Sequence, residues 1–120
     1  MKILVIDDDK PINKLIKFIL ENENHHALSA YDGNEGLKIL KSNPDIDLVI
    51  TDIIMPEKEG IETIMEIKKL YKNIKIIAIS GGGKLKPEGY LKLAKRLGAD
   101  HVLEKPFDED TLMNLVNNLA

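Results

Sequence analysis

The chain has 120 residues, 43% of them hydrophobic, with 17 basic and 20 acidic side chains interspersed for a formal net charge of -3. That is the make-up of one globular domain, residues 1–120, with a single core and without the clustered positive charge of a nucleic-acid-binding surface. With no cysteine, disulfides, thiolate nucleophiles and sulfur-ligated zinc are excluded.

The first apolar run, Ile3 to Ile6, reads as a buried strand. It is too short for a signal sequence, and no stretch reaches the length of a membrane span, so no membrane association is expected and the expected location is cytoplasmic. After "DDD" at 7–9, Ile12, Leu15, Ile16 and Ile19 recur at i, i+3, i+4, i+7, the spacing of a helix. "HALSA" (26–30) is a second strand. "YDGNEG" supplies turn chemistry before a short helix with Leu37 and Leu40. "IDLVIT" (46–51) is a β-branched third strand, followed by the loop "DIIMPEKEG" and a helix with Ile61, Ile64, Met65, Ile67 and Leu70. "IKIIAIS" (74–80) repeats the strand pattern. A glycine-rich loop then leads to a fourth helix carrying Tyr90, Leu93, Ala94 and Leu97, with Gly98 as its stop. His101 to Leu103 is the last strand, and Asp108 caps a fifth helix with Leu112, Leu115, Val116 and Leu119.

Five strands alternating with five helices, most strands apolar on both faces, predict a doubly wound α/β fold with a parallel sheet covered on each side. Ligands of such sheets bind beyond the carboxyl ends of the strands, so the residues that follow each strand matter most. Strand one ends in Asp7 and Asp8, strand three in Asp52, strand four in Ser80, and Lys105 follows strand five. Two carboxylates about 4 Å apart repel by about 4 kcal/mol at an effective dielectric of 20, so this edge calls for positive charge. Three carboxylates, a hydroxyl and an ammonium make an oxygen-rich pocket suited to a hard divalent cation and a phosphoryl group.

The ordered segments "VIDDD", "YDGNEGL", "VITDIIMPEKEG", "AISGGG" and "GADHVLEKPF" resemble those of a response regulator receiver domain over essentially the whole chain. The resemblance implies strand order 2-1-3-4-5. It also implies that Asp52 is the phosphoacceptor of a two-component phosphorelay, charged by a histidine kinase or histidine phosphotransferase. Asp8, Asp52 and the backbone carbonyl of Ile54 would ligate Mg2+ (or Mn2+), with Asp7 acting mostly through bound water. Lys105 would neutralise the acceptor and then the phosphoryl group, and Ser80 would move toward the phosphoryl oxygen. Gly81 to Gly83 give its loop the freedom for that switch. Signalling would pass to a downstream protein, and association would use the face formed by the fourth helix, fifth strand and fifth helix, which includes Lys92, Lys95 and Arg96 and could support a phosphorylation-dependent dimer. Lys105 precedes Pro106, where a cis bond is expected.

Other aspartates have plainer roles. Asp9 is expected to cap the first helix, and Asp45 and Asp47 precede strand three as turn residues. His25, His26 and His101 lack ligand spacing with the carboxylates. "GGGK" is no phosphate loop, since Ala78 stands where the first glycine is needed and Leu85 replaces the metal-binding hydroxyl. The chain departs from the family at two positions: Val102 stands where an aromatic residue is usual, three before the lysine, and Ile54, two after the acceptor, has no polar side chain to orient water. Two rivals follow. An interaction module of the same fold without phosphorylation would not need all five polar residues. A small aspartate-nucleophile phosphohydrolase would use Asp7 and Asp9 as its pair and leave Asp52 without a role. Either a stand-alone regulator or part of a longer protein is compatible with a sequence ending at Ala120.

Overall fold

The computed structural model, described for residues 1–53, 60–80, 92, 95, 96 and 98–119, pairs five parallel strands in the order β2-β1-β3-β4-β5. They are β1 (Lys2–Ile6), β2 (His26–Ala30), β3 (Leu48–Asp52), β4 (Lys75–Ser80) and β5 (His101–Glu104). The strand positions and their order match those expected from the sequence. Alternation along each strand divides the core in two. Ile3, Val5, Leu48, Ile50, Ile77, Ile79 and Leu103 face one layer, while Leu4, Ile6, Val49, Ile76 and Ala78 face the other. Because both faces are covered, the strands read as continuous apolar runs.

On the first face lie α1 (Lys10–Asn22) and the C-terminal helix α4 (Glu109–Leu119), the fifth of the helices predicted from the sequence. On the other lie α2 (Gly33–Ser42) and α3 (Gly60–Leu70). The predicted fourth helix falls mostly outside the described residues; Lys92, Lys95 and Arg96, within it, are helical and exposed.

Each cap has a local cause. The Asp9 carboxylate accepts from the Ile12 N–H at 3.3 Å, as expected, and Pro11 sits in the first turn where a missing N–H costs nothing. Asp108 accepts from the Thr111 N–H at 2.8 Å. The stretch "YDGNEG", read as a turn, instead contains the start of α2: Asp32 caps it, accepting from the Glu35 N–H at 2.8 Å, and the helix opens at Gly33. Gly36 lets α2 lie close to β1, since a Cβ would come 2.5 Å from the end of the Ile6 side chain, which would have to shift.

The buried stripe of α1 is rotated from its predicted position. Asn13, Ile16, Ile19 and Leu20 are buried, while Leu15 is 55% exposed and Ile12 only partly covered. Burying Ile16 and Leu20 contributes about 1.5–3 kcal/mol each. The rotation brings the Asn13 amide onto the sheet edge, where its Nδ2 donates to the carbonyls of Ala30 at 2.8 Å, Asp7 at 3.1 Å and Val5 at 3.4 Å. Its Oδ1 is buried and, among the described residues, without a partner, a cost of about 1–3 kcal/mol.

Candidate functional site

β1 and β3 are adjacent in the sheet although β2 comes between them in sequence, and the chain reverses its direction of travel across the sheet at this point. Crossovers leave to opposite faces here, so the carboxyl ends of β1 and β3 open onto a crevice. Asp7 follows β1 directly and is fully buried; Asp52 ends β3 and is 7% exposed. Asp8 is exposed. One carboxylate oxygen from each of Asp7, Asp8 and Asp52 lies within 4.8 Å of the others.

Lys105, just past β5, crosses the edge to meet them. Its Nζ donates to Asp52 Oδ2 at 2.8 Å and to Asp7 Oδ2 at 3.0 Å. Its backbone N–H donates to the Ser80 carbonyl at 2.7 Å, which anchors the segment to the end of β4. The Lys105–Pro106 peptide is cis, as expected. Ser80 is buried at the end of β4, one position beyond the register pair Asp52↔Ile79. All five polar side chains singled out from the sequence therefore gather at one sheet edge. The Ile54 carbonyl and Gly81 to Gly83 lie outside the described residues.

Asp7 is held at every polar atom. Its N–H donates to the Ala30 carbonyl at 3.1 Å, its carbonyl accepts from Asn13, Oδ1 accepts from the Asp9 N–H at 2.9 Å, and Oδ2 accepts from Lys105. Burial nevertheless pushes its carboxyl up from the ordinary value, and the Asp52 charge adds to this, against the Asp9 N–H and Lys105. For Lys105 the balance is opposite. Burial alone would lower the ammonium, but its bonds to Asp52 and Asp7 and their charges outweigh it and hold the group above its usual value. One ammonium bonded to two of three neighbouring carboxylates leaves a cluster of hard oxygen donors with more acid groups than cations. Such a set fits a divalent cation of the magnesium type.

Gly60 and Asn13 were not singled out as site residues from the sequence. A Cβ on Gly60 would lie 1.8 Å from the Asp52 carbonyl oxygen, so only glycine lets α3 begin against the end of β3. The Gly60 N–H donates to the Ile53 carbonyl at 2.7 Å. Val102, at the usual aromatic position, is half-buried against the α2–α3 layer and pairs in register with Ala78.

The family model for the response regulator receiver domain matches residues 3–117. The chain belongs to this family. Among curated relatives, the transcriptional regulatory protein CpxR of Klebsiella pneumoniae is 35% identical over 112 residues, 93% of this chain and 46% of that protein. The CAI-1 autoinducer sensor kinase/phosphatase CqsS of Vibrio cholerae is 37% identical over 118 residues, 96% of this chain and 17% of that protein. This receiver thus spans less than half the length of these relatives. A solved response regulator receiver domain protein from Clostridium thermocellum superposes with a TM-score of 0.90 at 39% identity, covering 98% of this chain and 92% of that one. Receiver domains carry an acidic pocket, and in this chain Asp7, Asp8 and Asp52 cluster at the sheet edge. No helix among the described residues is long and apolar enough to cross a membrane.

Proposed function

We propose that this receiver domain takes a phosphoryl group onto Asp52 from a phosphohistidine of a kinase or phosphotransferase, and signals to a downstream protein from the cytoplasm. The observation that carries the reading is the Lys105 ammonium shared between Asp52 and Asp7 beside the third carboxylate, Asp8. A structural ion pair needs one partner; a cation between two buried carboxylates, with a third in reach, is arranged for charge that arrives later.

In the transfer, an oxygen of the Asp52 carboxylate forms a bond to phosphorus as the phosphorus–nitrogen bond of the donor breaks, and the electron pair returns to the imidazole. Little covalent work falls to the protein, so positioning and charge neutralisation carry the reaction. Lys105 is placed to stay with the oxygens of the acceptor and of the transferred group. Asp8 and Asp52, with the Ile54 carbonyl, would hold Mg2+ or Mn2+ directly and Asp7 through water, and the ion would supply further neutralisation of the phosphoryl oxygens. Ser80, buried at the end of β4 one residue beyond the register partner of Asp52, is the hydroxyl available to follow the new group. The gathering of Asp52 and Lys105 also counts against the phosphohydrolase alternative, which leaves Asp52 idle, and against an interaction module that has no use for buried like charges. Phosphorylation-dependent dimerisation through the face that includes Lys92, Lys95 and Arg96 belongs to the same proposal.

The test is intact mass after incubation with Mg2+ and a small acyl-phosphate donor. One added phosphoryl group that fails to form in EDTA is expected. No adduct with several donors would overturn the reading in favour of the interaction module.

A further inference from the structure

We propose that Asn13 is a positioning residue for the acidic pocket: its amide clamps the Asp7 carbonyl to the end of β2 and so fixes the peptide plane from which Asp8 extends. The inference rests on the cation-binding reading of that pocket and names a residue outside it that sets its geometry.

The amide is a poor choice for packing alone. It sits inside α1 between Ile12 and Leu15, fully buried, where leucine is the better helix former and would bring no polar atoms. Among the described residues Asn13 Oδ1 is the only buried side-chain polar atom without a partner. A violation of local rules at this depth calls for a compensating role. The compensation is on its other arm. Three backbone carbonyls converge on Nδ2, one from β1, one from Asp7 just past it and one from the end of β2, and the opposite amide orientation would set Oδ1 against all three.

Two of those carbonyls bear directly on the site. The Ala30 carbonyl also accepts the Asp7 N–H, so Asn13 and the Asp7 backbone share one acceptor at the end of β2. The Asp7 carbonyl is the other end of the planar Asp7–Asp8 peptide. Fixing it fixes the direction in which the exposed Asp8 leaves the backbone. Asp7 keeps its own side-chain bonds to Asp9 and Lys105; Asp8 depends on the plane it hangs from. Outer partners that orient ligands typically change metal affinity by 10–100-fold when removed.

The experiment titrates the full chain with Mg2+ by calorimetry and by amide chemical shifts of residues 7–10. Wild type is compared with Asn13→Leu, Asn13→Ser and Ile16→Val, each at a temperature where thermal unfolding shows it folded. Ile16→Val weakens the same helix without touching the clamp. Expected are binding in wild type, affinity about tenfold weaker in Asn13→Leu, and unchanged affinity in Ile16→Val. Where Asn13→Leu fails to fold, Asn13→Ser decides by the same criterion. Asparagine variants that bind Mg2+ as wild type does would overturn the inference alone, as would an equal loss in Ile16→Val. Absence of Mg2+ binding in wild type would overturn the cation reading together with it.

Discussion

The two ends of the sheet use the same residue types in opposite ways. At the amino edge, Lys2 and Lys68 each meet one carboxylate and share out their other bonds. Lys2 Nζ meets Asp45 at 3.0 Å and Asn43 at 2.9 Å, while its N–H donates to Asp47. Asp100 accepts from the Ile76 N–H at 2.8 Å and from Lys68 at 3.2 Å, and Lys68 also donates to the Ile74 carbonyl. These groups are partly open to water and close the ends of strands. At the carboxyl edge, one ammonium serves two carboxylates that are almost wholly buried, with a third alongside. At the amino edge each of these ammonium groups has a carboxylate of its own, whereas at the carboxyl edge one ammonium stands among three carboxylates. The amino edge closes strand ends with pairs that water screens, and the proposed binding of a cation and a phosphoryl group belongs to the carboxyl edge.

Substitutions on the two edges should therefore differ in size and in sign. Replacing Lys105 by Met leaves the Asp7 carboxylate buried and unpaired, and a loss of about 3–5 kcal/mol in denaturant unfolding at pH 7 is expected. A loss no larger than that of Lys68→Met would break the comparison. Gly60→Ala drives a methyl group into the Asp52 carbonyl and should cost about 2–3 kcal/mol by the same measurement. Asp7→Asn should do the reverse. It removes a carboxyl that burial and Asp52 hold above its ordinary value, so without divalent cations it should stabilise the fold by about 1 kcal/mol at neutral pH. The sign follows from linkage. The folded state binds the Asp7 proton more tightly than the unfolded state does, so this group's contribution falls as pH rises through the folded value. The advantage of Asp7→Asn should accordingly shrink as pH is lowered toward 3.8, the ordinary value. An advantage that grows on acidification would contradict the assignment. Lys68→Met, at the partly exposed amino-edge pair, should change stability least, within about 1 kcal/mol.

Much of this was legible because strands in a doubly wound sheet are written as apolar runs, and the residue after each run lies at one edge. Asp7, Asp8, Asp52, Ser80 and Lys105 could be assembled from that rule before any coordinates. What escaped depends on rotation and close approach. Periodicity puts Ile12 and Leu15 on the same stripe as Ile16, but the helix turns so that Asn13 faces the sheet and Leu15 the solvent. An asparagine between an isoleucine and a lysine carries no mark in the sequence of whether it faces water or three carbonyls. Gly33 and Gly36 in "YDGNEG" looked like turn residues, although the first opens α2 and the second lets the helix lie against Ile6. Gly60 likewise read as the end of a loop, while its need is the 1.8 Å approach of a would-be Cβ to the Asp52 carbonyl.

The central claim is that the negative charge at the carboxyl edge exists to bring phosphoryl to one residue, Asp52. It is tested most directly by locating the group: wild type and Asp52→Asn are incubated with Mg2+ and an acyl-phosphate donor, and the products are mapped by peptide mass spectrometry. A single phosphoryl group on the Asp52 peptide of wild type, absent from the variant, is the predicted result. An adduct of equal yield on Asp52→Asn, or one carried by Asp7 or Asp8, would contradict it.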